Sequence, residues 1–296
     1  MADVGIEDTE VQAAQRVDGR AWSQGLIRRC AQRENGMRVV ITGAASGIGR
    51  ACAELLAAGQ VLPGLHSMLL ADRDEANLGA VTGKIGPAAG GCVVDLAEPD
   101  CGDRIVEAAL AHMGGIDAVI SNAGIIMGGA LVDQPLADFD RIFAVNTRST
   151  WLLAKAAHPH LRASKGAFIA TGSMSGTQPT PGLGFYSCSK AALLMLIRQL
   201  CIEWGPDGIR CNTVSPGPTY TPMTAAGYGD KTRREEREAS IPLRKLGLAE
   251  DVANAILFLA SSQASHISGI DVLVDGGMSN MLMPASGGGT GQQRQR

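Results

Sequence analysis

Eight residues, Thr42-Gly43-Ala44-Ala45-Ser46-Gly47-Ile48-Gly49, constrain this chain more than any other stretch. A short β-branched segment, Arg38 to Ile41, precedes them, and the helix-forming segment Arg50 to Ala58 follows. Between a strand and a helix, three such glycines have separate uses. Gly43 allows a tight turn, Gly47 lets the backbone approach a ligand, and Gly49 permits close packing of helix on strand. That is the context of a dinucleotide-binding turn, with a pyrophosphate at the helix N-terminus.

The rest of the chain repeats the same alternation. Strands are expected at Ser67 to Ala71, Cys92 to Val94, Ile116 to Ile120, Ala167 to Ala170, Ile209 to Val214 and Ile270 to Val274. Helices are expected between them, among them Pro99 to Met113, Pro135 to Leu161, the run opening at Tyr186, and Glu250 to Ser261. Short apolar strands separated by helices predict an α/β fold: one doubly wound domain of the Rossmann type, with a parallel sheet of about seven strands. In such a sheet the carboxyl ends of the strands share one crevice, so residues far apart in sequence converge there.

Several residues at those ends carry chemical information. Asp72 follows the second strand, 23 residues after Gly49, where a carboxylate accepts hydrogen bonds from both adenosine ribose hydroxyls and repels a 2′-phosphate. No Lys or Arg occupies Ser46, where such a phosphate would be met; Arg73 can stack on adenine or weaken the discrimination. The balance favours NAD over NADP. Asp95-Leu96 ends the third strand, with Asp95 a candidate for the adenine amino group or for a helix N-cap. Asn122, in Ser121-Asn122-Ala123-Gly124, is placed to tie two strand ends together, and Asn146 in mid-helix needs a partner, such as a water, if it is buried.

Ser173 ends the fifth strand, and Tyr186 and Lys190 lie four apart at the start of a helix, so phenol and ammonium share a face. A positive charge stabilises a phenolate, but bringing tyrosine from about 10 to near neutral takes roughly 4 kcal/mol, more than one exposed ion pair supplies. An oxidised nicotinamide ring would add a second positive charge. Ser215 to Thr221 forms a rigid turn that can present Thr221 to a carboxamide.

In this order, these elements resemble a short-chain dehydrogenase/reductase of roughly 250 residues, from about Met37 to Met278. The resemblance implies that Asn146, Ser173, Tyr186 and Lys190 form a catalytic tetrad: Tyr186 the acid/base, Ser173 the holder of the substrate oxygen, Lys190 lowering the tyrosine pKa, Asn146 anchoring a relay water. It implies a cofactor site of Gly43, Ser46, Gly47, Ile48, Gly49, Asp72, Arg73, Asp95, Leu96, Asn122, Ala123, Gly124, Tyr186, Lys190, Pro216, Gly217, Thr219 and Thr221. The expected activity interconverts a secondary alcohol and a ketone. Met174, Gln178, Pro179, Phe185, Met223 and Tyr228 suggest an apolar pocket, and the ending Asp275-Gly276-Gly277 is loosely similar to bacterial 3α-hydroxysteroid dehydrogenases. A 3-oxoacyl reductase using NADP and a non-catalytic nucleotide-binding protein are the alternatives. The family's homotetramers or homodimers imply an interface on Glu250 to Val274.

Composition sets the remaining bounds. A net charge of −3 gives no overall attraction to nucleic acid or to a membrane surface, and no run of about 18 apolar residues is present. Seven scattered cysteines without a C-x-x-C pair read as reduced thiols of a cytoplasmic protein. His158 and His160 flank Pro159 with no acid nearby in sequence, which favours surface residues over a metal site. Residues 1–36, acidic and then basic, read as an extension upstream of a start at Met37 or as an arm at a subunit edge. Residues 279–296 read as a disordered tail, and 222–245 as a solvated helix or a lid.

Overall fold

The computed structural model describes residues 36–281 apart from Gln60, Val61 and Pro63, so the expectations for the N-terminal extension and the end of the tail lie outside the described residues. The strands are β1 (Arg38–Thr42), β2 (Ser67–Asp72), β3 (Ala89–Val93), β4 (Ala118–Ser121), β5 (Ala167–Thr171), β6 (Arg210–Pro216), β7 (Thr219–Tyr220), β8 (Gly247–Leu248) and β9 (Asp271–Val274). The helices are α1 (Gly47–Ala57), α2 (Glu75–Ile85), α3 (Cys101–Met113), α4 (Leu136–Phe143), α5 (Ser149–Ser164), α6 (Tyr186–Trp204), α7 (Ala225–Tyr228), α8 (Lys231–Ser240) and α9 (Ala249–Ala260). Seven strands make one parallel sheet in the order β3-β2-β1-β4-β5-β6-β9.

Side chains alternate between the faces of this sheet, and both faces are covered. Val39 and Ile41, Met68 and Leu70, and Ala118 and Ile120 pack with Cys52 and Leu56 of α1, Leu78 of α2, and Val252 and Ile256 of α9. Their neighbours Val40, Leu69 and Val119 point the other way, onto Ile105 of α3, Leu153 and Leu161 of α5, and Leu193 and Ile197 of α6. Two buried faces explain why these strands are continuously apolar rather than alternating. The winding direction reverses between β1 and β4, which opens a crevice at their carboxyl ends.

The expected boundaries change at several points. β3 begins at Ala89 rather than Cys92, because Gly90 and Gly91, poor strand formers, still pair with β2; His112 packs on Gly90, where a Cβ would lie 2.9 Å from the ring. The expected helix from Pro135 to Leu161 is α4 and α5 joined by a π-helical turn, Ala144–Arg148, and it runs on to Ser164 despite Pro159. α1 begins inside the glycine turn at Gly47, and β6 extends through Pro216. β7 pairs with β8, closing the ends of the excursion that carries α7 and α8. The charged block from Lys231 is α8, which buries none of its residues.

Candidate active site

The glycine turn delivers its backbone to the crevice. Gly47 has φ of +52°, a conformation that costs an L side chain about 1 kcal/mol or more. Gly49 lies beneath the turn, where a Cβ would stand 2.2 Å from the Gly43 carbonyl oxygen, so its role is packing. Asn122 binds the strand ends together: its Nδ2 donates to Thr42 O at 3.1 Å, and its Oδ1 accepts from Thr171 Oγ1 at 3.0 Å. Thr42 Oγ1 in turn accepts from the Asn122 and Ala123 amides. These bonds hold β1, β4 and β5 in fixed relation around the opening.

One cavity runs along these ends. Gly43, Ser46, Gly47 and Ile48 line it at the turn, with Asp72, Arg73, Asp95 and Leu96 at the ends of β2 and β3. Asn122, Ala123 and Gly124 continue the wall from β4, and Pro216, Gly217, Thr219 and Thr221 close it from β6 and β7. Ser173, Tyr186 and Lys190 line it as well. Of the catalytic and cofactor residues singled out in the sequence, Gly49 and Asn146 stand behind the wall; of those expected to form an apolar pocket, Met223 lines the cavity, whereas Met174, Gln178, Pro179, Phe185 and Tyr228 do not. Arg141, Thr171, Ile125, Ile126 and Pro222 also line the cavity and had no motif to mark them.

The Asp72 carboxylate is oriented rather than free: Oδ2 accepts from the Ala45 amide at 3.0 Å and Oδ1 from the Asp74 amide at 3.1 Å. Each oxygen keeps a further acceptor position for a diol. Asp95 does not cap a helix. Its Oδ1 accepts from the Ala97 amide at 2.9 Å, and both its oxygens accept from Arg141 Nη2. These apolar, glycine-lined and carboxylate-bearing walls suit the diphosphate, ribose and adenine of a dinucleotide.

Lys190 is buried, and its Nζ donates to Thr171 O at 2.7 Å. Burial lowers its pKa from 10.5 to about 8. Burial also raises the Tyr186 phenol, and the Ser173 hydroxyl beside it pulls in the opposite direction. Lys190 Nζ lies 5.8 Å from the Tyr186 ring centre and is engaged by a carbonyl, so burial holds the phenol above its usual range with the Ser173 hydroxyl opposing it.

Asn146, within the π-helical turn, is 1% exposed. Its Oδ1 accepts from the Ile125 amide at 2.8 Å, and Nδ2 donates to Ile125 O and to Ser189 Oγ, each at 3.0 Å. Protein groups thus supply the partners that this side chain was expected to need if buried. Through Ser189 it also braces the helix bearing Tyr186 and Lys190. A Cβ on Gly124 would come within 3.3 Å of Asn146 Oδ1 and 3.4 Å of Lys190 Nζ, so glycine keeps that gap open.

His158 has a partner that its sequence neighbourhood did not show. His158 Nε2 lies 2.9 Å from Asp207 Oδ2 and its ring packs on Trp204, so an acid distant in sequence does pair with it. No group of three or more metal-binding side chains occurs among the described residues, and none of their helices is long and apolar enough to cross a membrane.

The family model described as enoyl-(acyl carrier protein) reductase matches residues 43–279, from the glycine turn past β9. The chain is a short-chain dehydrogenase/reductase. Among the relatives of this short-chain dehydrogenase/reductase is L-rhamnose 1-dehydrogenase (NAD(P)(+)) of Azotobacter vinelandii, 34% identical over 249 residues, covering 81% of this chain and 95% of the relative. Another is 3beta-hydroxysteroid dehydrogenase 1 of Eggerthella lenta, 32% identical over 248 residues, with coverage of 82% and 94%. Among solved structures, a 3-ketoacyl-(acyl-carrier-protein) reductase from Brucella melitensis complexed with NADH is similar at a TM-score of 0.75 and 32% identity, covering 83% of this chain and 99% of that one. The enzyme is accordingly an NAD(P)-dependent oxidoreductase acting on CH–OH groups.

Proposed function

We propose that this enzyme prefers NAD and interconverts an uncharged, apolar or cyclic secondary alcohol, such as a hydroxysteroid, with its ketone. The observation that carries the cofactor preference is Asp72, whose oriented carboxylate faces the cavity at the end of β2. It suits a ribose diol and opposes a 2′-phosphate. The substrate class follows from where charge is absent. Apart from Lys190, the charged residues lining the cavity are Asp72, Arg73, Asp95 and Arg141, all at the end bearing β2 and β3. The rest of the lining includes the apolar Ile125, Ile126, Pro222 and Met223.

In this reading Ser173 and Tyr186 hold the substrate oxygen between two hydroxyls. Tyr186 accepts the hydroxyl proton during oxidation and returns it during reduction. When bound, the nicotinamide supplies the hydride acceptor or donor. Lys190 keeps a positive charge beside the ring, and Asn146 fixes the helix that presents both residues.

The alternative is a 3-oxoacyl reductase using NADP, favoured by Arg73 beside Asp72 on the cavity. Comparing NADH and NADPH formation over cyclic alcohols, 3α- and 3β-hydroxysteroids and 3-hydroxyacyl thioesters tests both. Turnover with NAD on a ring alcohol supports the proposal, while NADP with thioesters replaces it by the alternative. Tyr186→Phe should lower turnover by about 10²- to 10⁴-fold with dinucleotide affinity retained; retained turnover removes the tyrosine from its assigned role.

The proposed setting is the cytoplasm, consistent with six free cysteines among the described residues. The proposed assembly is a homodimer or homotetramer joined through α9 and β9. Its support is the outer edge of β9, which pairs with no further strand among the described residues, and the partly exposed Phe258, Ile270 and Leu273.

A further inference from the structure

The turn after β3 is gripped by two arginines. Arg148, in the π-helical turn, donates to Ala97 O, and Arg141, on α4, donates from Nη2 to Asp95 Oδ2 at 2.9 Å and Oδ1 at 3.2 Å. The Ala97 amide adds a bond to Asp95 Oδ1 at 2.9 Å. A carboxylate offers about four acceptor positions. Oδ1 is therefore filled by Ala97 and Arg141, while Oδ2, with Arg141 alone, keeps one position open. The Ala97 amide and Arg141 hold the group below the usual aspartate range, although burial opposes them. It is thus an ionised acceptor of fixed direction in the wall that also contains Val94, Leu96, Asp72 and Arg73.

With Asp72 suited to the ribose, the purine falls to this wall. An oriented acceptor there accepts a hydrogen from an exocyclic amine and faces the lone pairs of an oxo group. We propose that Arg141 is a positioning residue for base selectivity. By fixing Asp95, it makes the cavity favour a 6-aminopurine dinucleotide over the 6-oxopurine counterpart. The inference needs an adenine dinucleotide in the cavity but holds for NAD and NADP alike, so it survives a reversal of the proposed cofactor preference.

The test measures dissociation constants by titration calorimetry for NADH and for reduced nicotinamide hypoxanthine dinucleotide, without substrate. If NADPH is the tighter ligand, it is paired with its own hypoxanthine counterpart. The wild-type enzyme should favour the amino form by about tenfold, as one charge-assisted hydrogen bond supports. Arg141→Met should cut that ratio to about threefold or less, and Asp95→Asn should erase it. A wild-type ratio near one overturns the proposal. So does an unchanged ratio in Arg141→Met with both ligands weakened equally, because the arginine would then act only through charge or packing. Should Arg141→Met fail to fold, Arg141→Lys provides the reading: a reduced ratio supports the proposal and an unchanged one overturns it.

Discussion

Burial moves the Lys190 ammonium from 10.5 to about 8, and this has a consequence for stability as well as catalysis. Between those values the unfolded chain binds the extra proton and the folded chain does not, so stability from this group rises as pH climbs from about 8 to about 10.5. Below that window the folded protein carries the full burden, about 3 kcal/mol at about 1.36 kcal/mol per unit. Lys190→Met removes it and forfeits one hydrogen bond of about 1 kcal/mol. The variant should melt about 4–8 °C higher than wild type at pH 7, lose that advantage near pH 10, and lose turnover. Thermal scans at the two pH values check the sign. Ser173, Tyr186 and Lys190 were legible in the sequence because two of them are neighbours on one helix face and the third ends a buried strand. Arg141 was not, since its partner Asp95 is 46 residues away and no periodicity links them. Asn146 was legible as a buried polar side chain, but its main partner is the Ile125 backbone, whose place no side-chain pattern reveals.

Elements with two buried faces were read closely from sequence, while those held by local exceptions were not. The π-helical turn at Ala144–Arg148 has no compositional mark, and β7 and β8 are each only two residues long, too short for a period to register. Glycines hid the beginning of β3 because their strand pairing depends on β2 rather than on their own preference. α9 illustrates a support invisible to pattern reading. Arg210, on β6, donates Nη1 to Leu259 O at 2.6 Å, and Nη2 to Ser261 O at 2.9 Å and Ala260 O at 3.3 Å, occupying the carbonyls at the end of α9. A cation there also complements the helix dipole. Arg210→Met should lower stability by about 2–3 kcal/mol, measured as an earlier urea midpoint with an unchanged slope. An effect within about 0.5 kcal/mol would mean that water replaces the guanidinium readily.

For the whole molecule, the doubly wound parallel sheet follows from the alternation of strands and helices together with right-handed crossovers, but nothing in the sequence states which edges remain open. Among the described residues the sheet ends at β3 on one side and β9 on the other. If β9 and α9 form the proposed interface, Leu273→Asp should convert the assembly to a smaller species in light-scattering chromatography. An unchanged mass would move the interface elsewhere. The all-parallel sheet has another implication. No two of its seven strands are joined by a hairpin, so every pairing closes a long loop before any ladder forms, and β1 must wait for β4 across α1, β2, α2, β3 and α3. Chains of this topology assemble slowly, with bare apolar strands exposed to one another in the meantime. Yield from a cell should therefore depend more on growth temperature and chaperone supply than on the final stability of the enzyme.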